Sequence, residues 1–304
     1  MRIFLNSVKE SWIIDRLRSD WYEHNRQISV NNPYSADIIW ILSPWVWKRL
    51  PKNQLKKKFV VCTIHHIDFG KFDKQAQDDF YMRDSYVDFY HVISVNTKKQ
   101  LEEITDKKII SIPFWVNQKL WFPVDEKKPI RKKYNFDEKD FIIGSFQRDT
   151  ESSDLMSPKL IKGPDIFLKI VEDLYKENKN LKVLLTGKNR NYLIENFTKK
   201  SIPFKYLEMV SLNELNQLYN MLDLYIVSSR VEGGPQAILE CAASKTPIVS
   251  TDVGIASEIL HKDSLYAPEN FFSAKPNTDY AYKNVQKYYL PKHMDKFIEM
   301  FEKK

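Results

Sequence analysis

Short apolar runs rich in β-branched and aromatic residues alternate with segments of helical period along the 304-residue chain. This alternation predicts βα units on a mostly parallel sheet. Helices are predicted over residues 11–24, 73–84 and 97–104 of the first half. The predicted strands are Arg2–Asn6, Asp37–Leu42, Phe59–Ile64, His91–Val95 and Lys108–Ile112, followed by Phe141–Phe146, Lys182–Thr186, Lys205–Glu208, Leu224–Ser228 and Pro247–Ser250.

Two helices of the second half have clear sequence signals. After Pro164, apolar residues recur at helical spacing from Ile166 to Tyr175, which predicts a helix with one buried face. Ser211 and Glu214 form a capping box before another apolar run. The tail over 279–304 has helical period, and we expect it to pack back across the junction between two domains.

A change of composition divides the chain. Residues 1–133 hold 24 Lys and Arg against 16 Asp and Glu, a balance of +8, which leaves 23 against 24 of the totals of 47 and 40 for the rest. All seven Trp lie in this first part, whereas six of the seven Gly lie beyond residue 140. Phe122–Tyr134, with two prolines and many charges, resembles a linker. We therefore predict domains at 1–125 and 141–278, a linker at 126–140 and a helical segment at 279–304.

Composition excludes several classes of protein. Charge-free runs reach only about ten residues, below the roughly 18 that span a bilayer. The first residues lack the apolar stretch of a signal peptide. Cys62 and Cys241 match no metal-site spacing and are too few for a disulfide framework, so we expect a cytoplasmic protein with no bound metal. No nucleic-acid-binding motif is present, so we expect no nucleic-acid partner.

The stretch from Ser228 to Glu240 combines a strand end, the adjacent glycines Gly233 and Gly234, and a helix predicted to start at Pro235. A glycine turn at a helix N-terminus directs unpaired N–H groups and the positive end of the helix dipole toward a ligand, which suits phosphate. Glu232 and Glu240 flank this turn, and each carboxylate suits a pair of sugar hydroxyls. An ordinary strand–turn–helix connection with solvated glutamates is the alternative.

The order of motifs over residues 141–260 resembles the donor-binding domain of glycosyltransferase family 4, which comprises retaining enzymes of the GT-B fold. The E-x7-E pair Glu232 and Glu240 is the most specific element. The other motifs are Gly144-Ser-Phe-Gln-Arg148, Lys162-Gly-Pro-Asp, the strand ending at Gly187, Leu218–Asp223, and Pro247–Gly254 with Glu258. Upstream, Lys108–Pro123 is similar to the stretch that ends the family's N-terminal domain, with Asn117 in place of the usual aspartate. Val61–His65 resembles the strand that delivers a histidine to the interdomain cleft.

The resemblance implies two cations on the diphosphate of a nucleotide sugar, Arg148 and Lys162. The polar segment Asp149–Ile161 separates them by more than is usual in the family, and Lys159 is an alternative to Arg148. Two such cations and a helix N-terminus can stabilise the charge on a departing diphosphate without a metal ion.

The resemblance also implies that Glu240 holds the ribose hydroxyls. Glu232, with the turn Gly233–Gly234–Pro235, would hold the donor sugar. His65 would face that sugar from the other domain, which makes Glu232 and His65 the residues assigned to catalysis. His66 is adjacent, so which of the two histidines faces the cleft stays open.

The implied fold is α/β of the GT-B type, with two Rossmann-like domains and a cleft between them. The implied activity is retaining, metal-independent transfer of a hexosyl group from a UDP- or GDP-sugar to a glycan or lipid-linked acceptor. An epimerase or hydrolase on the same fold, or a non-catalytic sugar-nucleotide-binding module, are the alternatives. The segment Trp40–Trp47 precedes the basic residues Lys48, Arg49, Lys52 and Lys56–Lys58, which is typical either of contact with an anionic inner membrane face or of a core strand followed by solvated charges.

Overall fold

Two all-parallel sheets form the centres of two units in this computed structural model, which describes residues 1–8, 13–151 and 153–303. The first unit comprises residues 1–115 and 288–304, and the second comprises residues 116–287. The first division therefore falls after residue 115, whereas the sequence places it after residue 125. The last residues of the chain belong to the first unit.

The sheet of the first unit has the order β1-β2-β3-β4-β5. A parallel bridge between Ile3 and Ser29 extends the sheet on the outer side of β1. Residues 11 and 12 of the predicted helix over 11–24 lie outside the described residues. The strands are β1 (Ile3–Leu5), β2 (Ile38–Ile41), β3 (Phe59–Ile64), β4 (Phe89–Val92) and β5 (Ile109–Ser111), and the helices are α1 (Ile13–His24), α2 (Lys52–Leu55), α3 (Lys74–Asp84) and α4 (Val95–Glu102).

The sheet of the second unit has the order β11-β10-β9-β6-β7-β8. All ten strands predicted from the sequence are present in the two units, with ends shifted by up to three residues, whereas β11 is additional. The strands are β6 (Phe141–Ser145), β7 (Leu181–Thr186), β8 (Phe204–Leu207), β9 (Leu224–Val227), β10 (Ile248–Thr251) and β11 (Leu265–Tyr266). The helices are α5 (Lys127–Lys133), α6 (Pro164–Glu177), α7 (Asn191–Lys199), α8 (Leu212–Met221), α9 (Gln236–Ala243), α10 (Ala256–Ile259) and α11 (Thr278–Val285).

The helix after Pro164 and the capping box before α8 are confirmed. The apolar stripe of α6 packs into the core of the second unit, and the Ser211 hydroxyl accepts from the Glu214 amide while the Glu214 carboxylate accepts from the Ser211 amide. The predicted linker 126–140 instead contains α5. This helix is fixed because the buried Arg131 donates to the Met221 carbonyl at 2.9 and 3.1 Å and pairs with Asp223 at 2.7 Å.

The sequence predicts one or two helices in the tail, and the structure contains two α-helices there. The first, α11, lies in the second unit, and the last, α12 (Met294–Glu302), lies in the first unit. One face of α12 completes a buried aromatic cluster on the first sheet, in which Phe297 lies 5.0 Å from Trp115 and 5.6 Å from Trp40 between ring centroids. Among the described residues, no helix is long and apolar enough to cross a membrane.

Candidate functional site

The strand order of the second sheet reverses between β6 and β9, because β7 and β8 extend it on one side while β10 and β11 extend it on the other. In open parallel sheets, ligands bind beyond the carboxyl ends of the strands at such a reversal. The residues that follow β6 begin at Phe146, and those that follow β9 begin at Ser228. Both stretches contain residues that the sequence assigns to the donor site.

The turn before α6 packs closely against the end of β9. Gly163 has a φ of 61°, and a Cβ atom there would lie 1.8 Å from the Ser228 carbonyl oxygen, so any larger residue would displace the turn. The Lys162 carbonyl accepts hydrogen bonds from the Gln147 amide at 3.0 Å and from the Ser228 hydroxyl at 3.3 Å. The backbone at Lys162 is therefore fixed from both strand ends.

The Lys162 ammonium contacts the Glu232 carboxylate directly. The Lys162 side chain is 20% exposed and that of Glu232 is 11% exposed. The Ser229 hydroxyl lies 3.2 Å from Glu232 Oε1 and 3.3 Å from Gln147 Oε1. Two of the residues predicted to hold different parts of the donor are thus partners of each other.

The glycine turn leads into α9, which begins at Gln236 with Pro235 as its N-cap residue, one residue later than predicted. No side chain caps this N-terminus. Gly254, with a φ of 54°, packs against the peptide after Gly233, and a Cβ atom at Gly254 would lie 2.3 Å from the Gly233 carbonyl oxygen. The close approach fixes the turn at an uncapped helix start, where backbone N–H groups favour an anion.

Glu240 lies on α9 and is only 5% exposed. Its Oε2 atom accepts a hydrogen bond from the Tyr219 hydroxyl at 2.8 Å. Burial raises the pKa of Tyr219 well above its ordinary value, so this residue stays a donor at neutral pH. The carboxylate is therefore oriented by a tyrosine that the sequence analysis left without a role.

Between Arg148 and Lys162, Thr150 and Pro158 form an antiparallel bridge. Within this segment, the Lys159 ammonium pairs with Glu151 at 3.2 Å, so its charge is compensated locally. Arg148 is partly buried at the start of this segment. These contacts do not test Arg148 or Lys159 as a ligand of the diphosphate, so both assignments stay predictions.

Arg190 is a residue that the sequence analysis missed. Its guanidinium is fully buried and donates to the Ser145 carbonyl at 2.6 Å, to the Thr186 carbonyl at 2.8 Å and to Asp149 at 2.8 Å. It thus joins the carboxyl ends of β6 and β7. Burial raises the pKa of Asp149, although Arg190 acts in the opposite direction. The signal was a lone arginine after the strand that ends near Gly187, which is too common a pattern to indicate a buried ion pair.

His65 lies at the end of β3 in the first unit and is partly buried, whereas His66 is exposed. The Nε2 atom of His65 lies 2.9 Å from the Leu42 carbonyl oxygen. This oxygen can only accept a hydrogen bond, so Nε2 carries a hydrogen. Burial lowers the pKa of His65 to about 4, against the raising effect of that hydrogen bond. The ring is therefore neutral at pH 7 and its Nδ1 atom is an acceptor.

The tryptophans do not form a common surface among the described residues. Trp40 and Trp47 are buried within the segment that the sequence associates with membranes, as are Trp21, Trp115 and Trp121. Only Trp45, which is 52% exposed, projects from the described part of the chain, and Trp12 lies outside it. Within the segment Trp40–Trp47, Trp40 thus follows the core-strand alternative, since it lies on β2 and is fully buried. The described residues also include no group of three or more His, Cys, Asp or Glu side chains placed to hold a metal ion.

Comparison with known proteins locates the family signal in the second unit. Residues 155–277 match the family model described as Glycosyl transferases group 1. Protein CapJ of Staphylococcus aureus is 26% identical over 114 residues, which cover 36% of this chain and 29% of that protein. The chain therefore matches under a third of the length of this curated relative.

Solved structures match over the whole chain. Anabaena Alr3699/HepE in complex with UDP superposes with a TM-score of 0.77 at 13% identity, covering 100% of both chains. The chain has the GT-B fold. Sucrose-phosphate synthase from Thermosynechococcus elongatus superposes with a TM-score of 0.69 at 16% identity, covering 98% of this chain and 80% of that one. Identities this low establish the fold alone, so the activity has to be argued from the site.

Proposed function

We propose that the chain is a retaining glycosyltransferase that moves a hexosyl group from a nucleoside-diphosphate sugar to a hydroxyl of a glycan or lipid-linked acceptor. One observation carries the proposal: Lys162, Glu232 and Glu240 lie at the reversal of the second sheet, within the segment 155–277 that matches the glycosyl transferases group 1 model. Family 4 membership is part of the same proposal, supported by the E-x7-E pair.

The three side chains divide the donor between them. Lys162, with Arg148 beside the same sheet edge and the N–H groups at the start of α9, provides positive charge for the diphosphate. Glu232 accepts hydrogen bonds from hydroxyls of the sugar ring. Glu240, held by Tyr219, accepts from the ribose hydroxyls. Once the donor is bound, these groups already face the diphosphate, the sugar and the ribose, so little further reorganisation is needed as charge moves onto the leaving phosphate.

The reaction we propose is a front-face displacement. The acceptor oxygen forms a bond to the anomeric carbon as the bond from that carbon to the β-phosphate oxygen breaks, and the acceptor proton passes to the departing phosphate. Both exchanged bonds lie on one face of the ring, so the anomeric configuration is retained. Glu232 positions the sugar in this scheme and does not attack it. His65 acts as a neutral hydrogen-bonding group, consistent with its pKa of about 4.

A uridine nucleotide is the donor that we favour. The structural neighbour Alr3699/HepE has been solved with UDP and, at a TM-score of 0.76 and 13% identity, with UDP-glucose. GDP-sugars are the alternative. We propose that no divalent metal is required, because Lys162, Arg148 and the α9 N-terminus together can neutralise a diphosphate.

The acceptor is proposed by class alone. A lipid-linked acceptor would bring the chain to an anionic membrane surface, where each basic residue contributes up to about 1 kcal/mol of attraction. The basic residues after Trp47 would supply this attraction. The tryptophans around them are mostly buried and so have little surface to place in the membrane. A soluble glycan acceptor requires no such contact.

Two measurements test the proposal. A thermal-shift panel of UDP, GDP, ADP and their sugars should show one nucleotide class that stabilises the chain by about 2.7 kcal/mol at a hundredfold excess over its dissociation constant. Transfer from that donor to glycan and lipid-linked acceptors should then proceed in excess EDTA with a retained anomeric configuration. Turnover without an acceptor would instead favour an epimerase or hydrolase, and nucleotide binding without turnover a binding module. An absence of nucleotide binding would contradict the proposal as a whole.

A further inference from the structure

In the proposed donor site, Lys162 and Glu232 bind each other although each is also assigned to a part of the donor. The ammonium is the group that a diphosphate needs, and the carboxylate is the group that the sugar hydroxyls need. Each is mostly shielded from water, with side-chain exposures of 20% and 11%. Neither group can be taken by a ligand without removing the main charged partner of the other.

A ligand with a diphosphate but no sugar gives Lys162 a new partner but gives none to Glu232. When its phosphate oxygens take the Lys162 ammonium, the shielded Glu232 carboxylate loses its cation and faces a new anion nearby. Loss of one partner of a poorly solvated ion pair is costly because the remaining charge is no longer compensated. A ligand that also carries a sugar donates hydroxyl hydrogen bonds to Glu232 and so replaces the lost interaction.

We propose that the Lys162–Glu232 ion pair makes the site select nucleoside-diphosphate sugars over free nucleoside diphosphates. This inference rests on the proposed function and concerns the same site. Glu232 acts as a specificity-determining residue through repulsion of the wrong ligand as well as attraction of the right one. After transfer, the sugar hydroxyls no longer bind the Glu232 carboxylate. Glu232 then competes with the diphosphate for Lys162, which favours release of the nucleoside diphosphate.

The Ser229 hydroxyl provides Glu232 with a second partner while Lys162 changes partner, and Gln147 is the other acceptor for that hydroxyl. The Ser229 hydroxyl has one hydrogen and two acceptors within 3.3 Å, Glu232 Oε1 and Gln147 Oε1. The Gln147 amide is itself anchored by the Lys162 carbonyl at 3.0 Å. This anchor involves the backbone of Lys162 and not its ammonium, so it persists when the ammonium turns to phosphate.

The test compares two ligands on charge-altering variants at constant ionic strength. Dissociation constants for UDP and UDP-glucose, with GDP and GDP-glucose in parallel, are measured by calorimetry on the full chain. Glu232→Gln keeps the size of the side chain and an acceptor for Ser229 but removes the charge that competes for Lys162. We expect it to bind the free diphosphate about three- to tenfold more tightly and the sugar nucleotide no more tightly, so the selectivity falls by at least about three- to tenfold.

A second variant and a matched control complete the experiment. Lys162→Met should weaken both ligands, and adding Glu232→Gln to it should tighten the free diphosphate less than Glu232→Gln does in the wild type, because competition for Lys162 has gone and only the repulsion between carboxylate and phosphate is removed. Glu172→Gln makes the same chemical change at the Lys200 ion pair, which spans 3.1 Å elsewhere in the second unit, and should leave the selectivity unchanged.

The outcomes separate the inference from the proposed function. Wild-type binding of the nucleotides with unchanged or weakened diphosphate affinity in Glu232→Gln would overturn the inference alone. A wild-type chain that binds none of the four ligands would overturn both. Folding of each variant is checked by its unfolding curve, and the double variant supplies the comparison if one single variant is unstable.

Discussion

The polar groups at the carboxyl edges of the two sheets are used differently. In the second unit, Lys162 and Glu232 are charged, partly exposed and paired with each other. In the first unit, the corresponding edge contains His91, a fully buried histidine whose hydrogen-bond partners are neutral. His91 lies between the Thr63 hydroxyl at 2.9 Å and the Ile112 carbonyl at 2.8 Å, and the Trp40 indole donates to that same hydroxyl at 2.7 Å.

This difference separates a site that can exchange partners from a network that holds a core together. Charged groups that keep some contact with water can pass from each other to a ligand that replaces both partners, as we propose for Lys162 and Glu232. Neutral groups sealed under aromatic rings gain nothing from exchange, because their hydrogen bonds are complete and their burial is large. We therefore expect substitutions in the first unit to act chiefly on stability, and those at the second sheet's edge to act on ligand affinity.

The largest effect is expected at the helix that the tail contributes to the first unit. Phe297→Ala removes a fully buried ring that lies 5.0 Å from Trp115, 5.2 Å from His91 and 5.6 Å from Trp40 between ring centroids. The cavity should lower the free energy of unfolding by about 3–5 kcal/mol. Urea unfolding followed by tryptophan fluorescence measures it, because six of the seven tryptophans lie in residues 1–115.

The control for this variant is Phe272→Ala in the second unit, where the ring is 56% exposed. Its effect should stay within about 0.5 kcal/mol. If Phe297→Ala were as mild as this control, α12 would not be part of the core of the first unit, and the contrast drawn between the two units would lose its basis.

The next effect is a loss of stability in acid, confined to the first unit. Burial lowers the pKa of His91 to about 3 and that of His65 to about 4. Both are below the unfolded value of about 6.5, so the unfolded chain takes up protons first as the pH falls. The stabilisation is complete above pH 6.5 and declines by about 1.4 kcal/mol per pH unit for a fully buried histidine such as His91. Solvent reduces the share of the partly exposed His65.

The measurement is the free energy of unfolding between pH 7 and pH 5, again by tryptophan fluorescence. His91→Asn keeps one acceptor and one donor but does not titrate in this range. The free energy of unfolding of this variant at pH 7 is expected to be lower than that of the wild type. Its slope against pH should be shallower, because about one proton fewer is taken up on unfolding. Equal slopes for the two proteins would show that His91 does not carry the acid sensitivity.

The contrast between the units also explains which features could be predicted from the sequence. The stripe on α6, the capping box of α8 and ten strands follow from residues within a few positions of one another, and the structure contains them all. The pairs Arg190–Asp149 and Lys162–Glu232 join residues 41 and 70 positions apart, so no local pattern indicates them. The helix α5 was missed for the same reason, because distant carbonyls fix its arginine.

For the tryptophans, the local pattern fits both a membrane contact and a core strand, so it does not choose between them. Trp40 and Trp47 stand beside a run of basic residues, which is typical of membrane-surface segments, yet both rings are buried. Trp40 packs 5.4 Å from Trp21 and 5.2 Å from Phe301 between ring centroids. The partner Phe301 comes from the far end of the chain, so the burial of Trp40 could not be read from its neighbours in the sequence.

The smallest effects are expected at Glu240 and Tyr219, where they sharpen the assignment of the second unit to nucleotide binding. Glu240→Gln removes a charged acceptor from the proposed ribose site, which should weaken the free nucleotide and raise the KM for the donor by about ten- to hundredfold. Ribose is remote from the bond that breaks, so its contacts are similar in the ground and transition states, and kcat should change little.

Tyr219→Phe tests whether orientation of that carboxylate matters, because it removes only the hydrogen bond of 2.8 Å to Glu240 Oε2. Because the carboxylate itself stays in place, loss of this orienting donor should cost less affinity than loss of the charge, so we expect nucleotide affinity to fall about two- to tenfold, with kcat again nearly constant. The matched control is Tyr206→Phe on β8, which loses a bond of 3.0 Å to the Gly187 carbonyl and contacts neither glutamate of the pair. Calorimetric titration of nucleotide into the three proteins decides the matter. Equal affinities in all of them would mean that Tyr219 serves the fold of the second unit and leaves Glu240 unaffected.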